Sequence, residues 1–175
     1  NFVWLKRNLT PKQQESIQKL GVPGLYFQRE DRRIYPHGSL FSHILGMTDV
    51  DQNGVAGVEK FFDSHLKKQT TSLHLSLDVR AQSILHEALH AAVKKFSAKG
   101  ANGVIMDIET SEVLAMVNLP DFNPNRAEAL SVKDTFNNNT LGVYEMGSIF
   151  KIFTMAMALE SEKISLGDVV DARLP

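Results

Sequence analysis

Short apolar runs separated by turn residues fill the first 70 positions of the chain, a pattern typical of small helices and strands. The clearest start signal is Thr10-Pro11-Lys12-Gln13, in which a capping threonine precedes a proline at the first helical position and a glutamine. It predicts a helix from 11 to about 20, ended by Gly21. The other predicted elements are strands at 2–5 and from 25, helices at 40–45 and 58–66, and an Asp-, Asn- and Gly-rich turn at 49–57.

From residue 73 the periodic segments are longer and more regular. Leu73-His74-Leu75-Ser76-Leu77 alternates strictly between apolar and polar, as a half-buried strand does. Asp78 is placed to cap a helix predicted from 79 to about 95. Strands predicted at 104–108 and 113–117 would form a hairpin. These elements predict an α+β fold, an antiparallel sheet with helices packed on it, and we place a domain boundary near residue 70.

The last long apolar run carries the strongest candidate for chemistry. Between 149 and 159 only Lys151 and Thr154 are polar, which predicts a helix buried inside a domain. Gly147 marks its start, where Ser148 would meet free backbone N–H groups and the positive end of the helix dipole. Ser148 and Lys151 are three residues apart and therefore share a face. Burial lowers the pKa of an amine, so a buried lysine can act as the base for a serine hydroxyl.

The Ser-x-x-Lys pattern alone is a weak signal, because the chain contains it three times. Ser16-Ile17-Gln18-Lys19 lies on a polar helix, and Ser64-His65-Leu66-Lys67 runs into a loop. For the bare pattern, a capping serine and a lysine with its amine in water are the simpler interpretation. Only the third copy has a glycine before it and an apolar helix after it.

The composition excludes several classes of protein. The chain has 175 residues, 43% of them hydrophobic and 22% charged, a net charge of −1 and no cysteine. Without a basic run it is not expected to bind nucleic acid, and without cysteine it has neither disulfides nor a thiol nucleophile. No apolar run reaches the length of a membrane span, and no signal peptide is visible. Because the chain begins without Met on an apolar run, we expect a piece of a longer protein.

A second pattern, His86-Glu87-Ala88-Leu89-His90, matches that of zinc proteases. Helical spacing directs Glu87 and His90 away from the apolar stripe of the helix and leaves His86 at its margin. A catalytic zinc also needs a shielded cleft and a third ligand, and no third histidine follows. We therefore expect solvated side chains and no metal here. His43 is expected to be a hydrogen-bonded helix residue. The stripe predicted to be buried consists of Leu85, Ala88, Leu89, Ala92, Val93 and Phe96.

Several separated pieces resemble class B penicillin-binding proteins, the membrane-anchored enzymes that cross-link bacterial peptidoglycan, and the septal type is the most similar. Arg33-Ile34-Tyr35-Pro36-His37-Gly38 and Gly54-Val55-Ala56-Gly57-Val58-Glu59 resemble two motifs of the family's non-catalytic pedestal domain. Leu75-Ser76-Leu77-Asp78 and the hairpin through Glu112-Val113-Leu114-Ala115-Met116 resemble the opening of its transpeptidase domain. Tyr144-Glu145-Met146-Gly147-Ser148-Ile149-Phe150-Lys151 resembles the active-site motif Glu-Pro-Gly-Ser-x-x-Lys, with methionine in place of proline.

The resemblance implies that 1–70 is the C-terminal part of a pedestal, or dimerisation-type, domain and 71–175 the N-terminal part of a penicillin-recognising transpeptidase domain. It implies a D,D-transpeptidase in which Ser148 attacks the penultimate D-Ala carbonyl of a stem peptide. Lys151 would be the general base, and the backbone N–H of Ser148 one donor of the oxyanion hole. β-Lactams would acylate the same serine, with no metal or organic cofactor.

The resemblance also sets expectations for the longer protein: a single membrane anchor, a place on the periplasmic face of the bacterial inner membrane, and cell-division proteins as partners. The family's Ser-x-Asn and Lys-Thr-Gly motifs do not occur in this chain, so we expect the chain alone to be inactive. It is also shorter than the family between Leu66 and Leu75, where residues are expected to be missing. An exposed sheet edge would allow a homo-oligomer.

Other functions stay open at this point. The chain could be an interaction module of the division machinery, with Ser148 incidental. A serine β-lactamase or penicillin sensor would share the Ser148 helix but not the pedestal motifs. A zinc peptidase acting through His86, Glu87 and His90 is the least favoured.

Overall fold

The computed structural model describes residues 2–68, 72–130, 133–169 and 173. It divides into two compact units, Asn1–Leu141 and Gly142–Pro175, which we describe separately. The helices of the first unit are α1 (Pro11–Gln18), α2 (Ser42–Leu45), α3 (Gly57–Phe61), α4 (Asp63–Lys68), α5 (Val79–Phe96), a 3₁₀ helix at Pro124–Ala129, and α6 (Asn138–Leu141). Its strands are β1 (Met47–Thr48), β2 (Gly54–Ala56), β3 (Ala101–Met106) and β4 (Val113–Leu119). The second unit holds a 3₁₀ helix at Gly147–Phe150 followed directly by α7 (Lys151–Glu160).

The capping box predicted for α1 is confirmed. The Gln13 N–H donates to the Thr10 hydroxyl at 3.3 Å, and the Thr10 N–H donates to the Gln13 side-chain oxygen at 3.0 Å. The strands predicted at 2–5 and from 25 are wrong, since neither segment has a strand to pair with in the described part of the chain. Trp4 instead packs edge-on against the Phe2 ring, with the Arg7 guanidinium 5.1 Å from its ring centroid.

β1 and β2 form a small antiparallel hairpin around Asp49. One oxygen of the Asp49 carboxylate accepts from the backbone N–H groups of Asp51 and Asn53, both at 2.8 Å. The predicted turn is therefore confirmed in its first half, while its second half forms β2 and the start of α3. Gly46 lies so close to the Ala56 carbonyl that a Cβ atom there would clash with it. The predicted helices at 40–45 and 58–66 appear as α2 and as α3 followed by α4.

The antiparallel hairpin of β3 and β4 is confirmed, and α5 packs on one of its faces. Alternate residues of β4, Ala115, Val117 and Leu119, are buried. Gly103 of β3 lets the helix approach, because a Cβ atom there would lie 3.3 Å from both the Leu85 and Leu89 side chains. Helices packed on small antiparallel sheets make the fold α+β, as expected.

Asp78 caps α5 as predicted. Its carboxylate accepts from the N–H groups of Arg80 and Ala81 at 2.7 and 3.1 Å. The Arg80 side chain and these two N–H groups lower the pKa of Asp78 to about 2. The strand predicted at 73–77 is wrong, because no ladder of backbone bonds forms there. The segment still follows β4, since the Ser76 hydroxyl donates to the Val113 carbonyl at 2.8 Å.

The predicted buried stripe of α5 is only partly correct. Leu85, Leu89 and Val93 are half-buried, but Phe96 is 71% exposed and Ala88 is also exposed. The β3–β4 hairpin has only two strands and is too narrow to cover the whole stripe, so Ala88 and Phe96 stay exposed. The most deeply buried residue of the helix is the polar Gln82.

The prediction of a buried helix after Ser148 is wrong for this structure. α7 has no buried residue, and the preceding 3₁₀ helix has none either. Burial requires a second apolar surface, and the unit Gly142–Pro175 has no other helix or strand among its described residues. None of the helices in the described part of the chain combines the length and the hydropathy needed to cross a membrane.

Candidate functional site

Ser148 lies in the first turn of the 3₁₀ helix that begins at Gly147. Gly147 has φ of +53°, a left-handed conformation that glycine adopts without steric cost. In a 3₁₀ helix, residues three apart lie directly above one another, so the side chains of Ser148 and Lys151 leave the backbone on the same side. Lys151 closes this helix and is the first residue of α7.

Met146 stands where the family motif has proline. Its φ of −71° and ψ of −23° cap the 3₁₀ helix, and its carbonyl accepts from the Ile149 N–H at 3.1 Å. Proline fixes φ near −65°, so methionine here keeps the backbone angle that proline would impose. The departure from the motif therefore leaves the turn before Ser148 intact.

The side chains of Ser148 and Lys151 are both exposed. The part of the chain that the structure describes contains no hydrogen bond between the Ser148 hydroxyl and the Lys151 amine. Activation of the lysine as a base requires that its amine be shielded from water, and this structure leaves the Lys151 side chain exposed. The turn brings the two residues onto one face, and their catalytic roles stay a prediction.

The two pedestal motifs meet through a two-point ion pair. Arg33 Nη2 donates to Glu59 Oε2 at 2.9 Å, and Arg33 Nε lies 2.7 Å from Glu59 Oε1. Glu59 is buried, and its hydrogen bond raises the pKa of Arg33. Tyr35, from the first motif, accepts the Thr48 N–H at its hydroxyl at 3.1 Å, and burial raises its pKa. Arg33 is paired with Glu59, and the Tyr35 hydroxyl with the Thr48 N–H, as in structural contacts.

Amide side chains bind segment 35–45 to the region of the β3–β4 hairpin. This segment includes the end of the first pedestal motif and all of α2. Gln82 is 1% exposed, and its Nε2 donates to the carbonyls of Leu40 and Met116 at 2.7 and 2.8 Å. Its Oε1 accepts the Met116 N–H at 2.8 Å. The side chain thus pairs with Met116 as a neighbouring strand would.

Asn125 makes an equivalent two-bond pair at the other end of segment 35–45. The Tyr35 N–H donates to Asn125 Oδ1 at 2.9 Å, and Asn125 Nδ2 donates to the Tyr35 carbonyl at 2.9 Å. Both bonds satisfy backbone groups, so they fix the main-chain path of the segment.

The third link is a polar cluster of the buried His43 and Asn118 with the half-buried Asn137, which we call the Asn118 cluster. Asn118 Nδ2 lies 3.0 Å from His43 Nε2 and donates to the Phe136 carbonyl at 3.2 Å. Asn118 Oδ1 accepts the Asn138 N–H at 3.0 Å, and Asn137 Nδ2 donates to the His43 carbonyl at 3.3 Å. Because an amide nitrogen can only donate, His43 Nε2 must accept and the proton resides on Nδ1. Burial lowers the pKa of His43 and so favours this neutral form.

The expectation of a hydrogen-bonded His43 is confirmed, but sequence reasoning missed its partners. Asn118 interrupts an otherwise apolar strand, and 137–139 is a run of three asparagines. These were the available signals, since a polar residue within a strand next to buried positions needs partners. Gln82 gave no comparable signal, because several neighbouring residues of α5 are also polar.

The zinc-protease pattern on α5 forms no metal centre among the described residues, which contain no group of three His, Cys, Asp or Glu side chains arranged for an ion. Glu87 and His90 are exposed, as expected from helical spacing. His86 is half-buried, and its Nε2 lies 2.9 Å from Asp121 Oδ2. The carboxylate partner of His86 was not foreseen.

Two family models match the chain in sequence order. A model described as the penicillin-binding protein dimerisation domain matches residues 1–89, and one described as the penicillin-binding protein transpeptidase domain matches residues 101–173.

Curated relatives cover nearly all of the chain. It is 36% identical to a probable peptidoglycan D,D-transpeptidase FtsI of Caulobacter vibrioides, over 95% of the chain and 29% of that protein. It is 34% identical to the peptidoglycan D,D-transpeptidase FtsI of Escherichia coli, over 91% of the chain and 31% of that protein. It is 32% identical to a probable peptidoglycan D,D-transpeptidase PenA of Neisseria meningitidis, over 96% of the chain and 34% of that protein. The chain spans about a third of the length of these relatives.

Proposed function

The chain belongs to the class B penicillin-binding proteins, and on that premise we propose that it is part of a longer peptidoglycan D,D-transpeptidase of septal cell-wall synthesis. The observation that carries the proposal is the 3₁₀ turn that sets Ser148 and Lys151 on one face, within the match to the transpeptidase domain. The match to the dimerisation domain favours this family over a serine β-lactamase or a penicillin sensor.

In the proposed reaction the Ser148 oxygen attacks the carbonyl carbon of the penultimate D-Ala, and Lys151 takes the hydroxyl proton. The bond to the terminal D-Ala then breaks, and Lys151 returns the proton to the departing amine. An amine of a neighbouring stem peptide attacks the resulting ester and forms the new amide bond, while Lys151 takes a proton from that amine and passes it to the Ser148 oxygen as the ester bond breaks. The Ser148 N–H is one donor to the oxyanion that forms at each attack.

A base at Lys151 needs a site that shields its amine from water. The exposed apolar side chains of α7, among them Ile152 and Phe153, offer the surface from which such a site can be built in the longer protein. We therefore propose that the chain alone is inactive.

We also propose the domain boundary at about residue 70. α4 ends at Lys68, and α5 packs against the β3–β4 hairpin through Leu85 and Leu89. This contact groups α5 with the transpeptidase part, although the dimerisation-domain match continues to residue 89.

The relatives' names suggest the setting of the longer protein. We propose that it acts on the periplasmic face of the inner membrane, on peptidoglycan stem peptides, and that β-lactams acylate it. Cell-division proteins are the proposed partners, and β3, which has no second strand neighbour in the described part of the chain, offers an edge to a second copy.

The test is intact mass after incubation with benzylpenicillin, on the longer protein and on this chain. We expect one adduct on the longer protein, none on this chain, and none on Ser148→Ala or Lys151→Ala in the longer protein. Ser16→Ala changes the serine of another Ser-x-x-Lys pattern and should keep the adduct. A folded longer protein without an adduct would contradict the proposal and favour an interaction module.

A further inference from the structure

We propose that Asn53–Gly54 is a site of spontaneous deamidation and that the Asp63 carboxylate limits the rate of the reaction. The sequence Asn-Gly occurs twice in the chain, at Asn53–Gly54 and at Asn102–Gly103. A glycine has no side chain to hinder the attack of its backbone nitrogen on the amide of the preceding asparagine. The inference concerns the covalent chemistry of the pedestal part and does not depend on the proposed role of Ser148.

The reaction needs only water and hydroxide. Hydroxide takes the proton of the Gly54 N–H, and the nitrogen attacks Cγ of the Asn53 side chain. The bond between Cγ and Nδ2 then breaks, Nδ2 leaves as ammonia with a proton from water, and a five-membered cyclic imide remains. Water opens the imide at either carbonyl, which gives aspartate or isoaspartate. The net change is one water taken up and one ammonia released.

The surroundings of the Asn53 amide favour the attack. Asn53 lies exposed in the turn between β1 and β2, so water and hydroxide reach it. Lys67 Nζ donates to Asn53 Oδ1 at 2.7 Å. The attack turns this oxygen into an oxyanion, which a neighbouring ammonium group stabilises.

Asp63 opposes the attack by holding the nitrogen that must react. The Gly54 N–H donates to Asp63 Oδ1 at 2.8 Å, and Lys67 Nζ donates to Asp63 Oδ2 at 2.9 Å. Lys67 and the Gly54 N–H both lower the pKa of Asp63, so the carboxylate is ionised at neutral pH. A carboxylate is too weak a base to remove a peptide proton, and its negative charge disfavours the nitrogen anion. This hydrogen bond must therefore break before the Gly54 nitrogen can attack.

Asn102–Gly103 provides a matched comparison with the same two residue types. Both residues lie within β3 and are half-buried, and they face Asn118 and Val117 of β4. The hairpin must open before the Gly103 nitrogen can reach the Asn102 amide. A difference between the two sites in the folded chain therefore reports the structure around them, because their sequence is the same.

Deamidation of Asn53 would change the start of the second pedestal motif. Asn53 Nδ2 donates to Asp49 Oδ2 at 2.9 Å, and the reaction replaces this donor by a carboxylate oxygen that repels Asp49. Isoaspartate also adds a methylene group to the main chain directly before Gly54. Gly54 pairs with Thr48 and lies so close to the Glu59 carbonyl that a Cβ atom would clash with it. The added length therefore displaces β2.

The experiment follows both sites by mass spectrometry while the folded chain is kept at mildly alkaline pH. Tryptic peptides 34–60 and 100–126 contain Asn53 and Asn102 respectively, and fragment ions assign the altered residue. In urea, where the chain is unfolded, we expect the two sites to react at similar rates. In the folded chain we expect Asn53 to react faster than Asn102. The reverse order in the folded chain would contradict the proposal.

The role of Asp63 is tested by Asp63→Ala. We expect deamidation of Asn53 to become about tenfold faster, as for the loss of one hydrogen bond to a charged acceptor, while Asn102 stays unchanged. Asp51→Ala is the control, because this carboxylate of the same turn pairs with Arg7 at 2.6 Å and should leave both rates as they were. An unchanged rate at Asn53 in Asp63→Ala would overturn the proposal. A slower rate would also overturn it, since Asp63 would then assist the reaction.

The Asn102 rate separates this local effect from unfolding. Equal acceleration of Asn53 and Asn102 in Asp63→Ala would show that the substitution opens the whole fold, and it would overturn the assignment to one hydrogen bond. Asp63→Asn serves as a second variant if Asp63→Ala does not fold. Its amide oxygen can still accept the Gly54 N–H but carries no charge, so Asn53 should react faster by a smaller factor. An unchanged rate in Asp63→Asn, when Asp63→Ala cannot be measured, would contradict the inference.

Discussion

Polar side chains are buried around β4, whereas apolar side chains are exposed on α7, the helix that follows Ser148. Around β4 the amides of Gln82 and Asn118 are 1% and 4% exposed. On α7 the apolar side chains of Ile152 and Met157 are 68% and 61% exposed. Both regions lie within the same penicillin-binding protein chain, and both depart from the simple rule that apolar residues are inside.

The difference shows that burial depends on the available partners as well as on hydrophobicity. An amide can be buried at little cost when each donor and acceptor finds a partner, as Gln82 does with Leu40 and Met116. An apolar helix stays exposed until a second surface covers it.

The largest expected effect comes from Gln82→Leu in this chain. The substitution keeps most of the side-chain volume but leaves the Leu40 carbonyl and both backbone groups of Met116 without partners. At about 1 kcal/mol for each lost bond, we expect the free energy of unfolding to fall by about 3 kcal/mol in urea denaturation. Gln14→Leu, the same change at an exposed position of α1, should alter it by less than about 0.5 kcal/mol. A loss at Gln82 no larger than that at Gln14 would contradict the account of the buried amide.

A smaller effect is expected from the pH dependence of the Asn118 cluster. Burial lowers the pKa of His43 in the folded chain, so the unfolded chain binds this proton first as the pH falls below about 6.5. The contribution of neutral His43 to the free energy of unfolding is fully present above that pH and is lost as the pH falls below it. The urea midpoint should therefore decrease between about pH 7.5 and about pH 5.5, and decrease less in His43→Gln.

His74 is an exposed histidine and supplies the control for this measurement. His74→Gln should leave the pH profile of the unchanged chain as it was. If His43→Gln and His74→Gln give the same profile, protonation of His43 is not the cause of the pH dependence.

Much of the local structure could be predicted from the sequence because its signals are local. The Thr10 capping box, the Asp78 cap and the β3–β4 hairpin each depend on residues close together in the chain, and each is confirmed. The strands predicted at 2–5 and 73–77 failed because a strand also needs a partner that no local pattern reveals.

At the candidate site, too, features that depend on local sequence were easier to predict than features that depend on distant partners. The glycine before Ser148 predicted a helix start, and a 3₁₀ helix does begin at Gly147, while the catalytic roles of Ser148 and Lys151 stay a prediction. The predicted burial of Lys151 is not observed, because burial depends on surfaces that are distant in the sequence. The partners of His43 escaped notice for the same reason, since Asn118 lies 75 residues further along the chain.

The smallest effect is expected from a substitution on the exposed helix α7. Ile152→Gln on α7 should change the unfolding free energy of this chain by less than about 0.5 kcal/mol, because the side chain is already in water. If the transpeptidase domain of the longer protein covers α7, the same change there should cost about 2 kcal/mol, the transfer free energy of a buried isoleucine. Urea denaturation of both proteins with and without Ile152→Gln measures the difference. Equal, small losses in both would show that α7 stays exposed, and the shielded site proposed for Lys151 would then need another origin.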